Sequence, residues 1–411
     1  MTVYVSCDHM TSLAAACRPL RLIVTGGGTG GHVYPALTVA RAAEERLADF
    51  GIQLEMLWVG AANSMEERVA ADEGIRFQAV ATGKIRRDRN PLKMISAANV
   101  RDVGRVPLGI AQAYAVVSRF APDAVLSTGG YVALPVGIAT WANRRPLVVH
   151  EQTSRLGLAN RVLAHAATRV AISWEASREL LPRRARRTAV LTGNPVRPDL
   201  LTGVAQRALQ APELTGFDPN LPTLYVTGGA QGSVQINGLV QENLDWLLTR
   251  ANVIHQCGGR SLDALRAHGS LLPANLAKRY VVTDFIGSEL PDVLALADIA
   301  VARSGAGTLA EFTALGMPSV QVPLTSSAGN EQVHNAQSAH RAGAAVALCG
   351  NEATAENLRT ALAPLLEDTA ARLPMSRQAR AMGKPGAAQR LTDLLLDVMR
   401  PRACRPVDDR L

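Results

Sequence analysis

The chain has few aromatic residues and no paired cysteine motif. Phe, Trp and Tyr make up 4% of its 411 residues, and no RNA-binding or helix-turn-helix signature is present, so nucleic acid is not an expected partner. Its five cysteines are scattered without a CxxC pair, which argues against a disulfide framework or zinc knuckle and favours a reducing cytoplasm. No stretch approaches the roughly 18 apolar residues of a spanning helix. Any membrane contact is therefore expected to be peripheral.

The remaining composition is that of a globular protein with excess positive charge. Hydrophobic residues make up 47% and charged residues 19%, unlike disordered or fibrous chains. Lys and Arg number 43 against 35 Asp and Glu, which gives a formal net charge of +8. The length suits two or three domains. The charge favours an anionic partner, such as a phosphate or an acidic lipid.

Strand, glycine turn and helix follow one another at two places in the chain. Residues 20–25 predict a buried parallel strand and residues 35–48 a helix, with a glycine-rich turn between them. A similar opening begins at residue 224, about two hundred residues later, which predicts an α/β fold with two Rossmann-like domains in tandem. Further strands are predicted at 54–59, 124–127, 147–150, 169–172, 188–192, 252–255, 280–283, 299–302 and 319–322.

These patterns divide the chain into four segments. Residues 1–19 are predicted to be an N-terminal extension, 20–195 and 196–383 the two domains, and 384–411 a C-terminal helix and tail. The stretch 195–222, rich in Pro, Asp, Asn and Gly, is expected to be a linker, and 375–399 is expected to be helical.

Two glycine turns follow strands of the first predicted sheet. Residues 26–32 read GGGTGGH and residues 127–131 read STGGY, so backbone amides can surround an anion at a helix N-terminus. Neither turn cleanly matches a dehydrogenase GxGxxG fingerprint or a Walker loop. His32 stands where the first turn becomes a helix, which suits a general base. The alternative is a histidine that only caps local backbone.

Polar residues follow two more predicted strands. Residues 150–153 read HEQT and suit sugar hydroxyls or the orientation of a base, although Glu151 could simply bond neighbouring loop amides. Residues 303–311 read RSGAGTLAE, where Ser304, Thr308 and free amides suit a diphosphate and Glu311 suits a ribose. Glu331 and Gln332 suit hexose hydroxyls, against the alternative of a solvated loop and helix start.

Taken in order, these motifs resemble the MurG glycosyltransferases, which transfer N-acetylglucosamine from its UDP donor to lipid I and so make lipid II. The resemblance extends from 20 to 383 and implies a GT-B fold, with two Rossmann-like domains around a cleft and the final helix returning to the first domain. The matching motifs are GGGTGGH, GGY, HEQ, GNPVR at 193–197, GGxQG at 228–232, HQ at 255–256, RSGAxTxxE and EQxxNA.

The resemblance implies that the second domain binds UDP-N-acetylglucosamine. The backbone of Ile286 would hold the uracil, Glu311 the ribose, and Glu331 with Gln332 the sugar. Arg197 and Arg303 match arginines near the leaving UDP. The complete implied donor set is Arg197, Gln231, Ile286, Arg303, Ser304, Gly305, Ala306, Thr308, Glu311, Glu331 and Gln332.

The first domain would bind the acceptor, a polyprenyl diphosphate. His32 would take the proton of the acceptor 4-hydroxyl in an inverting reaction, with Glu151 as the second catalytic residue. No bound cofactor and no obligatory protein-bound metal are implied, and stimulation by divalent cations stays open. The chain departs from the family at Thr153, usually Asn, and at Ala230 and Ser233 of the usual GGSQGA. The implied acceptor set is Gly28, Thr29, Gly30, Gly31, Gly129, Gly130, Tyr131 and Thr153.

Residues 83–95 combine basic and apolar side chains. They resemble the family's basic-rimmed apolar patch and imply peripheral attachment to an anionic membrane at its cytoplasmic face, against the alternative of a core helix with solvated basic residues. Three other functions remain open: a MurG-like paralogue with a soluble or antibiotic-pathway acceptor, an epimerase of UDP-N-acetylglucosamine, and a non-catalytic UDP-sugar-binding subunit.

Overall fold

The structure, a computed structural model, describes residues 18–83 and 97–399 together with Met10 and Leu13, without the side chains of residues 97–103 and 328. It divides into two compact units. One comprises the described residues up to Pro195 and those from Gly386 onward, and the other comprises Val196–Pro385. Apart from Gly83, the residues 83–95 expected to contact a membrane lie outside the described residues.

The first unit contains a seven-stranded sheet in the order β3-β2-β1-β4-β5-β6-β7, and every pairing is parallel. Its strands are β1 Leu20–Gly26, β2 Leu54–Gly60, β3 Arg76–Ala79, β4 Ala124–Gly129, β5 Leu147–Glu151, β6 Arg169–Ile172 and β7 Val190–Leu191. Its α-helices are Gly30–Ala48, Met65–Asp72, Ala97–Phe120, Ala133–Ala142, Leu158–Leu163, Arg183–Thr188 and Ala387–Val398, with a 3-10 helix at Glu175–Leu180.

The second unit contains a six-stranded parallel sheet in the order β10-β9-β8-β11-β12-β13. Its strands are β8 Thr223–Thr227, β9 Asn252–Gln256, β10 Tyr280–Thr283, β11 Ile299–Ala302, β12 Ser319–Gln321 and β13 Val346–Ala347. Its α-helices are Ala205–Ala208, Val234–Glu242, Leu244–Leu248, Leu262–Gly269, Ala274–Ala277, Leu290–Leu296, Ala306–Leu315, Glu331–Arg341, Ala355–Glu367 and Thr369–Met382, and its 3-10 helices are Pro198–Thr202, Pro212–Leu214, Ala328–Asn330 and Gly350–Glu352.

Both sheets are buried on two faces, which explains why their strands are continuous apolar runs. In β1, Leu22 and Val24 pack into one hydrophobic cluster and Ile23 into another. The predicted α/β class with two Rossmann-like sheets is confirmed. Two strands were not predicted: β3 is partly exposed along its length, and β13 has only two residues.

Two local predictions are wrong. The expected linker 195–222 is folded into the second unit, because Leu200 and Leu214 are buried in one of its hydrophobic clusters. The expected helix 375–399 is interrupted between Met382 and Ala387, where Pro385 and two glycines stand. Its last part, Ala387–Val398, packs on helix Gly30–Ala48 in the first unit.

Candidate functional site

In both sheets the strand order changes direction beside the strand that carries a glycine turn. These switch points lie between β1 and β4 in the first unit and between β8 and β11 in the second. The loops at the carboxyl ends of such neighbouring strands diverge and leave a crevice for ligands. The loops after β1, β4, β8 and β11, which carry many of the predicted site residues, border these two switch points.

The first helix begins inside the GGGTGGH turn, earlier than predicted. It spans Gly30–Ala48, its N-cap Thr29 makes no side-chain capping bond, and its first turn contains no acidic residue. The first amides of the helix therefore have no capping side chain, and the positive end of the helix dipole faces the loop. This end of the helix suits an anion.

The two glycine turns of the first unit touch each other. The Gly27 amide donates to the Gly129 carbonyl at 3.4 Å, and the Thr128 hydroxyl donates to the His32 carbonyl at 2.8 Å. A side chain at Gly130, whose φ is +83°, would lie only 2.3 Å from the Gly27 oxygen. The fold thus brings together the predicted acceptor residues Gly28, Thr29, Gly30, Gly31, Gly129, Gly130 and Tyr131.

His32 lies in the first turn of the helix, next to both glycine turns. Its Nδ1 atom is 2.9 Å from the Thr29 hydroxyl, and its Cδ2 atom faces Gly129. Burial lowers the pKa of His32 from 6.5 to about 4. The imidazole is therefore neutral at pH 7, which is the state a general base requires.

The side chains of the HEQT residues form hydrogen bonds within the first unit. Glu151 is 2% exposed; its Oε1 accepts from the Thr153 amide and hydroxyl, and its Oε2 from the Gly157 amide and Asn160 Nδ2. Burial raises the pKa of the Glu151 carboxyl, and these hydrogen bonds oppose the rise. Glu151 therefore organises the loop after β5. The hydroxyl of Thr153, a residue predicted to bind the acceptor, donates to Glu151 Oε1 and lies against the Arg155 carbonyl.

Asn160 belongs to this site, although the sequence analysis did not identify it. Its Nδ2 donates to the His150 carbonyl and to Glu151, both at 3.0 Å, while its buried Oδ1 has no hydrogen-bond partner. Both amide oxygen and nitrogen lie 3.1 Å from the position that a Cβ on Gly129 would occupy. Asn160 lies on the short helix Leu158–Leu163, which has no glycine turn to mark it.

The second unit holds a cavity of about 360 Å³ at its switch point. Of the predicted donor residues, the lining includes Arg303, Gly305, Thr308 and Gln332, and it does not include Arg197, Gln231, Ile286, Ser304, Ala306, Glu311 or Glu331. The other lining residues are Gly228, Gly229, Gly232, Ser233, Val234, Gln235 and Leu324.

One of the two helix N-termini beside this cavity has no capping side chain. Helix Ala306–Leu315 begins after Gly305 without a side-chain cap or an acidic first turn, whereas Ser233 caps helix Val234–Glu242 through the Ile236 amide. The uncapped amides and the Thr308 hydroxyl suit a diphosphate. Ser304, also predicted to contact the phosphate, is fully buried, and its hydroxyl donates to the Gln332 carbonyl.

Polar side chains hold the cavity wall in place. Arg303 donates to Gln235 Oε1 and to the Val322 carbonyl, both at 2.9 Å, and burial lowers its pKa. Gln332 accepts from the Leu324 amide through Oε1 at 3.0 Å. The guanidinium therefore supplies positive charge beside the uncapped helix, at a fixed position.

Glu311 lies in the second turn of helix Ala306–Leu315. Burial raises the pKa of its carboxyl, the Arg197 guanidinium opposes that rise, and Asp199 adds to it. Arg197 forms a 3.8 Å ion pair with Asp199. The fold thus brings two predicted donor residues, Glu311 and Arg197, into electrostatic contact.

Ile286 follows β10, and its amide is already bonded. Gln256 Oε1 accepts from this amide at 3.0 Å, and Gln256 Nε2 donates to the Thr227 hydroxyl and the Gly229 carbonyl at 3.2 Å. Gln256 is 5% exposed and joins the loops that follow β8, β9 and β10. The backbone group left for a nucleobase at Ile286 is its carbonyl.

The described part of the chain contains no group of three or more His, Cys, Asp or Glu residues placed to hold a metal ion. Across residues 18–83 and 97–399, no helix combines the length and apolar character needed to cross a bilayer.

Comparison with known proteins places the chain in a family. Residues 22–172 match the glycosyltransferase family 28 N-terminal domain, and residues 223–391 match the C-terminal domain of that family. Two curated relatives are UDP-N-acetylglucosamine–N-acetylmuramyl-(pentapeptide) pyrophosphoryl-undecaprenol N-acetylglucosamine transferases. The protein of Treponema pallidum subsp. pallidum is 34% identical over 370 residues, which cover 89% of this chain and 92% of the relative.

The second relative, from Limosilactobacillus fermentum, is 35% identical over 379 residues, with coverage of 92% and 98%. The crystal structure of Acinetobacter baumannii MurG superposes with a TM-score of 0.69 at 27% identity, with coverage of 92% of this chain and 99% of that one. The chain belongs to the MurG family of glycosyltransferases, as the order of its glycine and polar motifs predicted.

Proposed function

We propose that the chain transfers N-acetylglucosamine from UDP-N-acetylglucosamine to the 4-hydroxyl of N-acetylmuramic acid in lipid I, and so forms lipid II for peptidoglycan. The observation that carries the proposal is the pair of uncapped helix N-termini, one at each switch point. Both substrates are diphosphates, so the reaction requires two anion sites. The transferase names of the relatives agree with this requirement.

The second unit is the donor site in this proposal. The diphosphate binds at the amides of Gly305 and Ala306 and at the Thr308 hydroxyl, with the Ile286 carbonyl reading the uracil and Glu311 accepting the ribose hydroxyls. Gln332 lines the same cavity and bonds the sugar. Gln231 and Ser304 belong to the loops that follow β8 and β11, beside the donor diphosphate, and Glu331 joins Gln332 at the sugar.

The first unit holds the acceptor and the base. The diphosphate of lipid I binds at the Gly30 and Gly31 amides, and His32 Nε2 removes the proton of the 4-hydroxyl. For Nε2 to accept that proton, Nδ1 must carry the ring hydrogen, which it donates to the Thr29 hydroxyl 2.9 Å away. The Thr29 hydroxyl can accept this hydrogen, so the contact is compatible with the reactive tautomer.

The reaction is a single displacement with inversion. The acceptor oxygen forms a bond to the anomeric carbon while the bond from that carbon to UDP breaks, and the proton passes to His32. Negative charge grows on the departing diphosphate, where the amides of helix Ala306–Leu315 and the Arg303 guanidinium stabilise it. Arg197, close to Glu311, adds positive charge on the nucleotide side.

A lipid-linked acceptor requires a membrane surface, and the chain acts as a peripheral protein at the cytoplasmic face of the cell membrane. The described residues that support this lie on two helices that pack together, Ala133–Ala142 and Leu158–Leu163. Trp141 is 63% exposed, and Leu158 and Val162 are about half exposed. Arg144 and Arg161 are exposed nearby in sequence, and cations of this kind attract acidic headgroups.

A transfer assay with labelled UDP-N-acetylglucosamine tests the proposal. The acceptor panel contains a lipid I analogue, a soluble muramyl peptide without the diphosphate lipid, and water alone. We expect the label in a β-1,4-linked product of the lipid I analogue. Transfer only to a soluble acceptor would support a paralogue, epimerised donor would support an epimerase, and tight UDP binding without any product would support a non-catalytic subunit.

A further inference from the structure

A fully buried glutamate lies beneath the first glycine turn. Glu66 Oε2 accepts from the Gly28 amide at 3.2 Å, and Oε1 accepts from the Ala61 amide at 3.4 Å. No cationic partner of Glu66 is present among the described residues. Glu66 lies in the first turn of helix Met65–Asp72, whose positive end helps to stabilise the buried charge.

The chain leaves space for this carboxylate on two sides. A Cβ at Gly27 would lie 2.4 Å from the Glu66 carboxyl carbon, and a Cβ at Gly60 would lie 2.8 Å from its Cγ. Gly27 follows β1 and Gly60 ends β2. Glu66 therefore ties together the carboxyl ends of two strands that are neighbours in the sheet.

A third loop packs on the same group. The Tyr131 ring, from the turn after β4, lies against Gly28 at 2.8 Å from the position that a Cβ would occupy. Burial raises the pKa of the Tyr131 hydroxyl, and the Glu66 carboxylate raises it further. Gly28 has a φ of +82° and is held between Tyr131 and Glu66, so its conformation is set from both sides.

We propose that Glu66 is a positioning residue for transfer, and that it withdraws the Gly28 amide from the acceptor anion. The turn that it holds continues directly into Thr29 and His32, the pair that presents the base. With the Gly28 amide bonded to a carboxylate, the acceptor diphosphate is left with the helix amides of Gly30 and Gly31. This inference rests on the proposed function for its acceptor, and on the contacts alone for its effect on the turn.

The test replaces Glu66 with Gln and, as a matched control, Glu67 with Gln. Glu67 is the next residue of helix Met65–Asp72, but its carboxylate accepts from the exposed Asn63 amide instead of the glycine turn. In E66Q the side chain keeps its size, but one amide now faces a second donor instead of an acceptor. We expect kcat/KM for the lipid I analogue to fall about 10–100-fold in E66Q, the loss for a displaced catalytic group, and UDP affinity to stay within twofold. E67Q should match wild type in both.

Amide hydrogen exchange of the peptide covering residues 26–33 provides a readout that needs no acceptor. We expect faster exchange at the turn in E66Q and unchanged exchange in the second unit. Wild-type kinetics and exchange in E66Q, or a lower melting temperature with neither changed, would overturn the proposal. If E66Q does not fold, Glu66→Asp is used instead, because it keeps the charge on a side chain that is one methylene shorter. Its kcat/KM and its amide exchange are then measured in the same way.

The two proposals fail in different ways. Wild-type protein that cannot glycosylate the lipid I analogue contradicts the proposed function, while faster exchange in E66Q would still support the role of Glu66 in the turn. Wild-type transfer together with an E66Q variant that behaves like wild type contradicts only the assignment of Glu66.

Discussion

Glu151 Oε2 lies 3.0 Å from Asn160 Nδ2, and this contact fixes the orientation of the Asn160 side-chain amide beside Gly129. The second hydrogen of Nδ2 bonds the His150 carbonyl, so a rotated amide would point its oxygen at two acceptors. The Asn160 amide is therefore held in one orientation beside Gly129, where His32 Cδ2 also lies. In the proposed reaction, Glu151 would act through Asn160 and the loop that it holds.

Replacement of Glu151 by Gln should destabilise the first unit. Both carboxylate oxygens accept from N–H groups, so the new NH₂ must face at least one donor. An unsatisfied buried donor costs about 1–3 kcal/mol. Urea unfolding followed by tryptophan fluorescence measures the loss. The control is Glu175→Gln, because its ion pair with Arg178 is largely exposed and should contribute no more than about 1 kcal/mol. Equal stability of the two variants would show that the buried hydrogen bonds of Glu151 do not stabilise the first unit.

Replacement of His32 by Ala should lower kcat by roughly 10²–10⁴ if the imidazole is the base. UDP affinity should be unchanged, because the predicted donor residues lie in the second unit. A variant that keeps most of its turnover would make His32 a structural residue.

The pH dependence of wild-type kcat gives a separate test of His32. Since its pKa is lowered to about 4, the imidazole stays unprotonated as the pH falls through 6.5 and gains a proton only near 4. We therefore expect kcat to remain level between pH 8 and about 5.5 and to decline below that. A decline of kcat centred on pH 6.5 would contradict the assignment of a desolvated His32 as the base.

Replacement of Glu311 by Ala should weaken UDP binding by about 1–3 kcal/mol, the range for lost hydrogen bonds to a charged group. Calorimetry with UDP measures the change. Glu356→Ala is the control, because this exposed glutamate begins another helix of the same unit. If the two variants bind UDP equally, Glu311 does not contact the ribose.

Replacement of Gln256 by Glu should weaken UDP binding about tenfold or more. A carboxylate oxygen would replace the NH₂ that donates to the Thr227 hydroxyl and the Gly229 carbonyl, so the loops after β8 and β9 would move apart. Gln337→Glu, on an exposed helix face, should leave the affinity unchanged. Unaltered UDP affinity in the Gln256 variant would show that these hydrogen bonds do not contribute to nucleotide binding.

Binding to vesicles should require anionic lipid and should weaken with added salt, because ions screen the attraction of exposed arginines. Trp141→Ser should reduce binding further, since this exposed indole is suited to the headgroup region. Leu373→Ser is the control: Leu373 is 55% exposed but lies in the second unit. Equal binding to neutral vesicles would contradict the membrane proposal.

The fold class and the location of the proposed anion sites can be read from local sequence. Strands buried on both faces must be nearly continuous apolar runs, and a turn that brings amides to an anion must be rich in glycine, so both features leave a pattern within a few residues. The strands β6 and β11 were predicted with their observed bounds for this reason. The ordered motifs also predicted the family.

The polar atoms that face the sites are known only from the folded chain. Ser304 and Thr308 have equivalent hydroxyls in sequence, yet one bonds the Gln332 carbonyl and the other lines the cavity. Glu66 carries no local signal, because its partner Gly28 follows another strand of the sheet, and Asn160 carries none because it lies against Gly129 at the end of β4. Hydrogen bonds are short and directional, so each buried donor and acceptor finds its partner only when strands distant in sequence become neighbours in space.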